Sequence, residues 1–126
     1  MKRAFFRPAG GAVSYVGGGA AAAQNYQTVA RPAVPAAAVA GDMLLCLSVA
    51  NATGDNVLSS TWTTLSIADT SSFYVLASYK IAAGDDAAPT ITPANMTPGQ
   101  THASRVTAWR GVDPVQPFGP VSTAAQ

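Results

Sequence analysis

Eight consecutive residues, Met43-Leu44-Leu45-Cys46-Leu47-Ser48-Val49-Ala50, form a near-continuous apolar run that limits what the chain can become. Gly41-Asp42 precede the run and Asn51-Ala52-Thr53-Gly54-Asp55 follow it, residue types that turn a backbone. Its length and its flanks predict a strand buried on both faces. Other segments carry the period of two. In residues 62–68, Trp62, Thr64 and Ser66 alternate with Thr63, Leu65 and Ile67. In residues 73–81, Phe73, Val75, Ala77, Tyr79 and Ile81 share one face, and Tyr74, Leu76, Ser78 and Lys80 share the other. Residues 101–110 put Val106 and Ala108 opposite Arg105, Thr107 and Trp109. Pro89-Thr90-Ile91-Thr92-Pro93 reads as a short edge strand, because proline cannot donate to a central ladder. No segment sustains a period of 3.6, and no internal repeat is present. Seven or eight short strands with turn signals between them predict an all-β fold, a β-sandwich.

The 126 residues favour one domain with a modest core. The first 41 have a different texture. Gly10, Gly11 and Gly17-Gly18-Gly19 punctuate them, four alanines follow, and Arg31-Pro32-Ala33-Val34-Pro35 enforces extended backbone. The chain is therefore divided into an extended N-terminal arm and linker, 1–41, and a sandwich core, 42–126. The glycine triplet reads as a hinge. The arm holds Lys2, Arg3, Arg7 and Arg31 and no acid, whereas all six Asp lie from Asp42 onward and Glu is absent. So sparse a basic end does not predict direct nucleic-acid binding. It suits an arm lying on an acidic protein surface, or else a solvated terminus. Phe5 and Phe6 are costly to leave wet in such a segment, so Lys2, Arg3, Phe5, Phe6, Arg7 and Tyr15 are the candidate partner-binding residues.

Charged residues make up only 10% of the chain, against roughly 25% in ordinary soluble domains. A surface so poor in charge is expected to be covered, by copies of itself or by a partner. The leading Met-Lys-Arg-Ala-Phe-Phe-Arg lacks the apolar stretch of a secretory signal, and no stretch approaches a membrane span. Cys46, the single cysteine, sits in the apolar run and reads as a buried, inert thiol.

Reactive chemistry is hard to assemble from these residues. His102 is the single histidine, and Ser104 shares its strand face, but no nucleophile elbow is present. One Cys and one His fall short of a zinc site. Asp85-Asp86 and Asp55-Asn56 have oxygen chemistry but no calcium-loop pattern. No pair of carboxylates stands out for glycoside hydrolysis. Gly17-Gly18-Gly19 lacks the Lys-Ser/Thr of a phosphate loop. The chain therefore reads as a non-enzyme with no catalytic, metal or cofactor residue. Trp62, Tyr74, Tyr79 and Trp109 read as core, with a sugar-binding platform as the alternative.

Four pieces in order carry a resemblance: Val39-Ala40-Gly41-Asp42-Met43-Leu44-Leu45, Trp62-Thr63-Thr64-Leu65, Tyr79-Lys80-Ile81-Ala82-Ala83-Gly84 and Ala108-Trp109-Arg110-Gly111-Val112-Asp113-Pro114. Over residues 39–118 this resembles a recurrent pattern in tailed-phage virion proteins, of the jelly-roll head decoration or cement type and in tail-associated proteins. The resemblance implies a jelly roll with no catalytic residues. Its motif positions Gly41, Asp42, Trp62, Tyr79, Trp109, Arg110, Gly111 and Asp113 are structural. Gly111 would permit a turn that Asp113 caps before Pro114, and Arg110 would pair with Asp42 or Asp113. The implied partner is the major capsid protein, on the outer capsid surface of a virion assembled in the host cytoplasm, with self-association as a homodimer. A tail or fibre module that binds a host-surface glycan is the other expectation.

Overall fold

The computed structural model describes residues 6–26, 28–51, 56–58, 61–69, 73–93 and 96–119. Among these residues eight strands run in chain order: β1 (Ser14–Gly18), β2 (Ala22–Asn25), β3 (Met43–Ala50), β4 (Asn56–Leu58), β5 (Thr63–Asp69), β6 (Tyr74–Ile81), β7 (Ile91–Pro93) and β8 (Thr101–Arg110). The apolar run becomes the central strand. β3 pairs antiparallel along its whole length with β6 on one side and β8 on the other. β5 pairs with β6 at one edge. At the other edge β1 and β2 pair with the two ends of β8 in turn, Ser14 facing Arg110 and Asn25 facing Thr101. β4 and β7 form a separate two-stranded sheet, which a bridge from Ile91 to Ala30 extends.

One face of the large sheet is the inner face. Leu44, Cys46, Val106 and Ala108 pack there with Ile91, Ala30, Trp62 and Ala82, and Val16, Ala22, Val34 and Ala38 flank them. Ala50, Tyr74, Leu76 and Met96 form a second cluster with Tyr26. Alanines occupy many inner positions, so the larger side chains supply most of the buried area. The fold is all-β and antiparallel, consistent with a β-sandwich. Its described strands divide into sheets of six and two. The predicted jelly-roll form, with its eight strands in a double sheet, is not seen among the described residues.

The extended arm needs correcting from residue 6 onward. β1 and β2 complete the large sheet, Ala30, Pro32 and Pro35 are buried, and Phe6 bridges to Phe118. Non-local pairing with β8 sets this segment in place, which its own glycines and alanines could not reveal. The alanine stretch enters strand β2. The glycine triplet is no hinge either. Gly17 and Gly18 lie in β1, and Gly19 is buried, donating its N–H to the Val106 carbonyl at 2.9 Å and accepting from Arg105 Nε at 3.1 Å. A register shift between Thr64 and Ser66 breaks the strict alternation expected of residues 62–68.

Candidate functional site: an uncovered sheet face

The period of two leaves β3, β6 and β8 with a second, outer face that the small sheet does not reach. Leu45, Leu47 and Val49 of β3 lie on it, beside Val75, Ala77 and Tyr79 of β6 and Ala103, Arg105, Thr107 and Trp109 of β8. The expectation that β3 is buried on both faces is thus corrected. Leu44, Cys46, Ser48 and Ala50 are buried, but Leu47 is 48% exposed and Val49 46%. Phe73, at the entry to β6, is 59% exposed. Few globular surfaces present so many large apolar groups side by side without a use for them.

The outer face has two halves of different height. At the Trp109 end, segments from both ends of the described chain cross it and form an aromatic lid. The Phe6 ring lies 4.7 Å from the Trp109 ring and 5.8 Å from Phe118, Phe118 meets Tyr79 edge-on at 5.0 Å, and Tyr15 meets Trp109 at 5.1 Å. Tilted and edge-on rings at these separations attract through their quadrupoles as well as by burial. Arg7 reaches the Asp113 carboxylate at 3.6 Å and donates to the Gln116 side chain. The lid stops short of Leu47. Beyond it the face drops to a recessed half with two hollows. One, of about 450 Å³, is lined by Ala23, Val49, Phe73, Val75 and Ala103, with Asn51 and Thr101 at its end. The other, of about 190 Å³, lies between Ala21, Leu47, Val49, Ala103 and Arg105.

The sequence-predicted residues fall into three groups. Phe6, Arg7 and Tyr15 engage their own protomer in the lid, so the expectation that Phe6 anchors in a neighbour is corrected. Lys2, Arg3 and Phe5 lie outside the described residues. The motif positions gather at the lid end and beneath it. Arg110 donates from Nε and Nη2 to the two oxygens of Asp42, both at 2.8 Å, and Asp42 also accepts the Val39 N–H at 2.9 Å. Gly41 enters this turn, donating to the Ala82 carbonyl. Gly111 has φ of +81°, and a β-carbon there would lie 2.7 Å from the Ala12 carbonyl oxygen. Asp113 accepts the N–H groups of Val115 and Gln116 at 2.9 and 3.2 Å, which holds its carboxyl below the usual range. Trp62 is core, while Tyr79 and Trp109 form the floor of the lid. Sequence reasoning missed Leu47, Val49 and Phe73 as surface groups. The available signal was that both faces of β3 and β6 are apolar while the chain is too small to cover both.

The remaining reactive groups are buried in the inner layer. His102 and Ser104 share the inner face, and the His102 Nε2 lies 2.7 Å from the Thr28 carbonyl, which fixes it as the donor. Among the described residues no three His, Cys, Asp or Glu side chains gather as a metal site. Burial pushes the Cys46 thiol up to about 12. The native protein is accordingly expected to resist iodoacetamide near pH 8 and to label fully once unfolded. Mass spectrometry checks this, and labelling of folded protein at the rate of a free thiol would contradict the buried position.

Comparison with known protein families, with curated proteins and with solved structures finds no match.

Proposed function

We propose that this chain is a non-catalytic structural subunit of a tailed-phage particle, one that decorates or cements the capsid by binding major capsid protein subunits and by self-association. The observation that carries the reading is the uncovered apolar sheet face on a chain with 10% charged residues. Such a face is stable in water only at low concentration or under a protein partner, which is the condition of a particle component. Lys2, Arg3 and Phe5, near the start of the sequence, supply the basic and aromatic groups for capsid contact. Deleting residues 2–19 would remove Phe6 and β1 together and so test folding rather than contact. Deletion of residues 2–5 is the cleaner variant. In cosedimentation with phage capsids the full chain is expected to saturate a fixed number of sites, and the variant to need at least about tenfold more protein, roughly 1.4 kcal/mol of affinity. Equal saturation by both would remove the contact role of these residues, and failure of the full chain to sediment with capsids would remove the reading.

A second reading has one specific observation behind it. Phe73 stands exposed in the larger hollow with Asn51 and Thr101 at its end, a pairing of an aromatic with polar groups that suits a sugar ring. A tail or fibre module binding a host-surface glycan would sediment with cell envelopes instead of capsids, and Phe73→Ala would abolish that binding.

A further inference from the structure

The geometry points to a second copy of this chain as the occupant of the outer sheet face, docked so that the lid of each copy covers the recessed half of the other. This deepens the structural-subunit reading and rests on it only for its biological setting. The argument begins with shape. Along β3 the face is raised as far as half-buried Leu45 and recessed from Leu47 onward, so the step falls near the middle of the strand. A two-fold axis lying in the plane of the face, across the strands near Cys46, exchanges the raised half with the recessed one. One surface then serves as both partners, as an isologous interface requires.

The chemistry of the two halves agrees. On the lid half Val115 is 86% exposed, and with Arg7, Tyr79 and Phe118 it borders a hollow of about 400 Å³. The recessed half offers Leu47, Val49 and Ala103 between its two hollows, and Arg105 is the charge along the edge of the smaller one. Small Ala23, Ala77 and Ala103 let a partner approach the backbone, and sheets packed face to face keep their strands within about 30° of one another.

The face is also large enough for a specific pairing. Five strand positions about 4.8 Å apart and eight residues at about 3.3 Å give a face on the order of 600 Å². Two such faces reach the lower end of the range for specific protein interfaces, roughly 1,200 Å² in total. A face of this size is smaller than the roughly 2,000 Å² or more that obligate dimers bury, so the pairing is expected to be reversible.

Sedimentation velocity of the full chain from about 1 μM to 1 mM tests this. The sedimentation coefficient is expected to climb with concentration. Leu47→Asp in the recess and Val115→Lys on the lid each weaken association at least about tenfold, while circular dichroism shows both folded, since both positions are exposed. Mixing the two variants is the decisive arm. In the mixed dimer one lid–recess contact carries Lys against Asp and the other is unaltered, so the mixture associates more tightly than either variant alone. A full chain that stays monomeric throughout, variants that associate like the parent, or a mixture no better than its components would each overturn the proposal. A monomeric variant that still saturates capsids leaves the particle reading standing and shows that pairing is dispensable for it. A chain that dimerises as described but ignores capsids keeps this dimer and removes the particle reading.

Discussion

Replacing Gly19 by alanine is expected to destabilise the protein by about 3 kcal/mol, the upper end of what overpacking costs. Gly19 sits in the gap between β1 and β2, where the edge strand breaks and residues 32–35 pass over it. A β-carbon there would overlap the Ala33 carbonyl oxygen and lie 2.6 Å from the carbonyl carbon, so the obstacle is backbone rather than a flexible side chain. Ala33 cannot simply withdraw, because its N–H donates to the Ala20 carbonyl at 3.0 Å. Thermal melting should fall by roughly 10 °C or more for a chain of this size. Gly11→Ala is the control: a β-carbon there meets nothing within 4 Å, and the effect should stay within about 0.5 kcal/mol. A Gly19→Ala variant as stable as that control would mean that the segment carrying Ala33 does not pack over β1 and β2.

The second large effect belongs to Asp42. Its side chain is only 3% exposed and is held by the two-pronged hydrogen bond from Arg110 and by the Val39 amide. The Arg110 hydrogen bond is the main reason its carboxyl lies below the usual range, since burial alone would raise it. Asp42→Asn keeps the shape and removes the charge, and is expected to cost about 2 kcal/mol at pH 7, the loss typical of charge-assisted bonds. The pH dependence follows from linkage. A carboxyl whose folded value is depressed contributes stability that is present above the unfolded value, about 3.9, and is lost as pH falls through the lower folded value. The gap between wild type and variant should therefore be widest near neutrality and close below about pH 4. Asp86 behaves in the same sense, for although burial raises it, the Lys80 ion pair at 2.6 Å and the amides of Gly84 and Ala83 more than offset that. Urea denaturation of both proteins at pH 7 and pH 3 measures the gap, and a difference unchanged at pH 3 would show that the Asp42 charge is not what holds this turn.

The strands that organise the fold were legible because their information is local. The alternation in residues 73–81 and 101–110 predicts the two faces of β6 and β8 as the structure shows them. What alternation cannot say is which face is covered. β6 offers Tyr74 and Leu76 on one side and Phe73, Val75 and Tyr79 on the other, and hydrophobicity alone gives no reason to bury the first set. Met96 and Tyr26 make that choice from elsewhere in the chain by packing on Tyr74 and Leu76. The leading segment failed for a related reason. Glycines and alanines carry weak signals of their own, and residues 14–25 become strand only because the edge of β8 is available. Phe6 was rightly read as an aromatic that needs cover, but its cover is Trp109 of the same chain. At the site, Asp42 and Arg110 are legible through their motif, whereas the apolar run of β3, which reads as buried on both faces, hides the exposed row of Leu47 and Val49.

The placement of β8 has a consequence for biosynthesis. It lies between β3 and the two leading strands, so the first elements made and the central strand both wait for the last one to emerge from the ribosome. Until Arg110 has been translated, the sheet has an open seam through its middle. Such long-range closure raises contact order and slows folding toward the millisecond-to-second range of all-β domains. During that interval the unpaired edge of β3 is free to join the nascent edges of neighbouring chains, which makes the unfinished sheet the point at which crowded chains mispair.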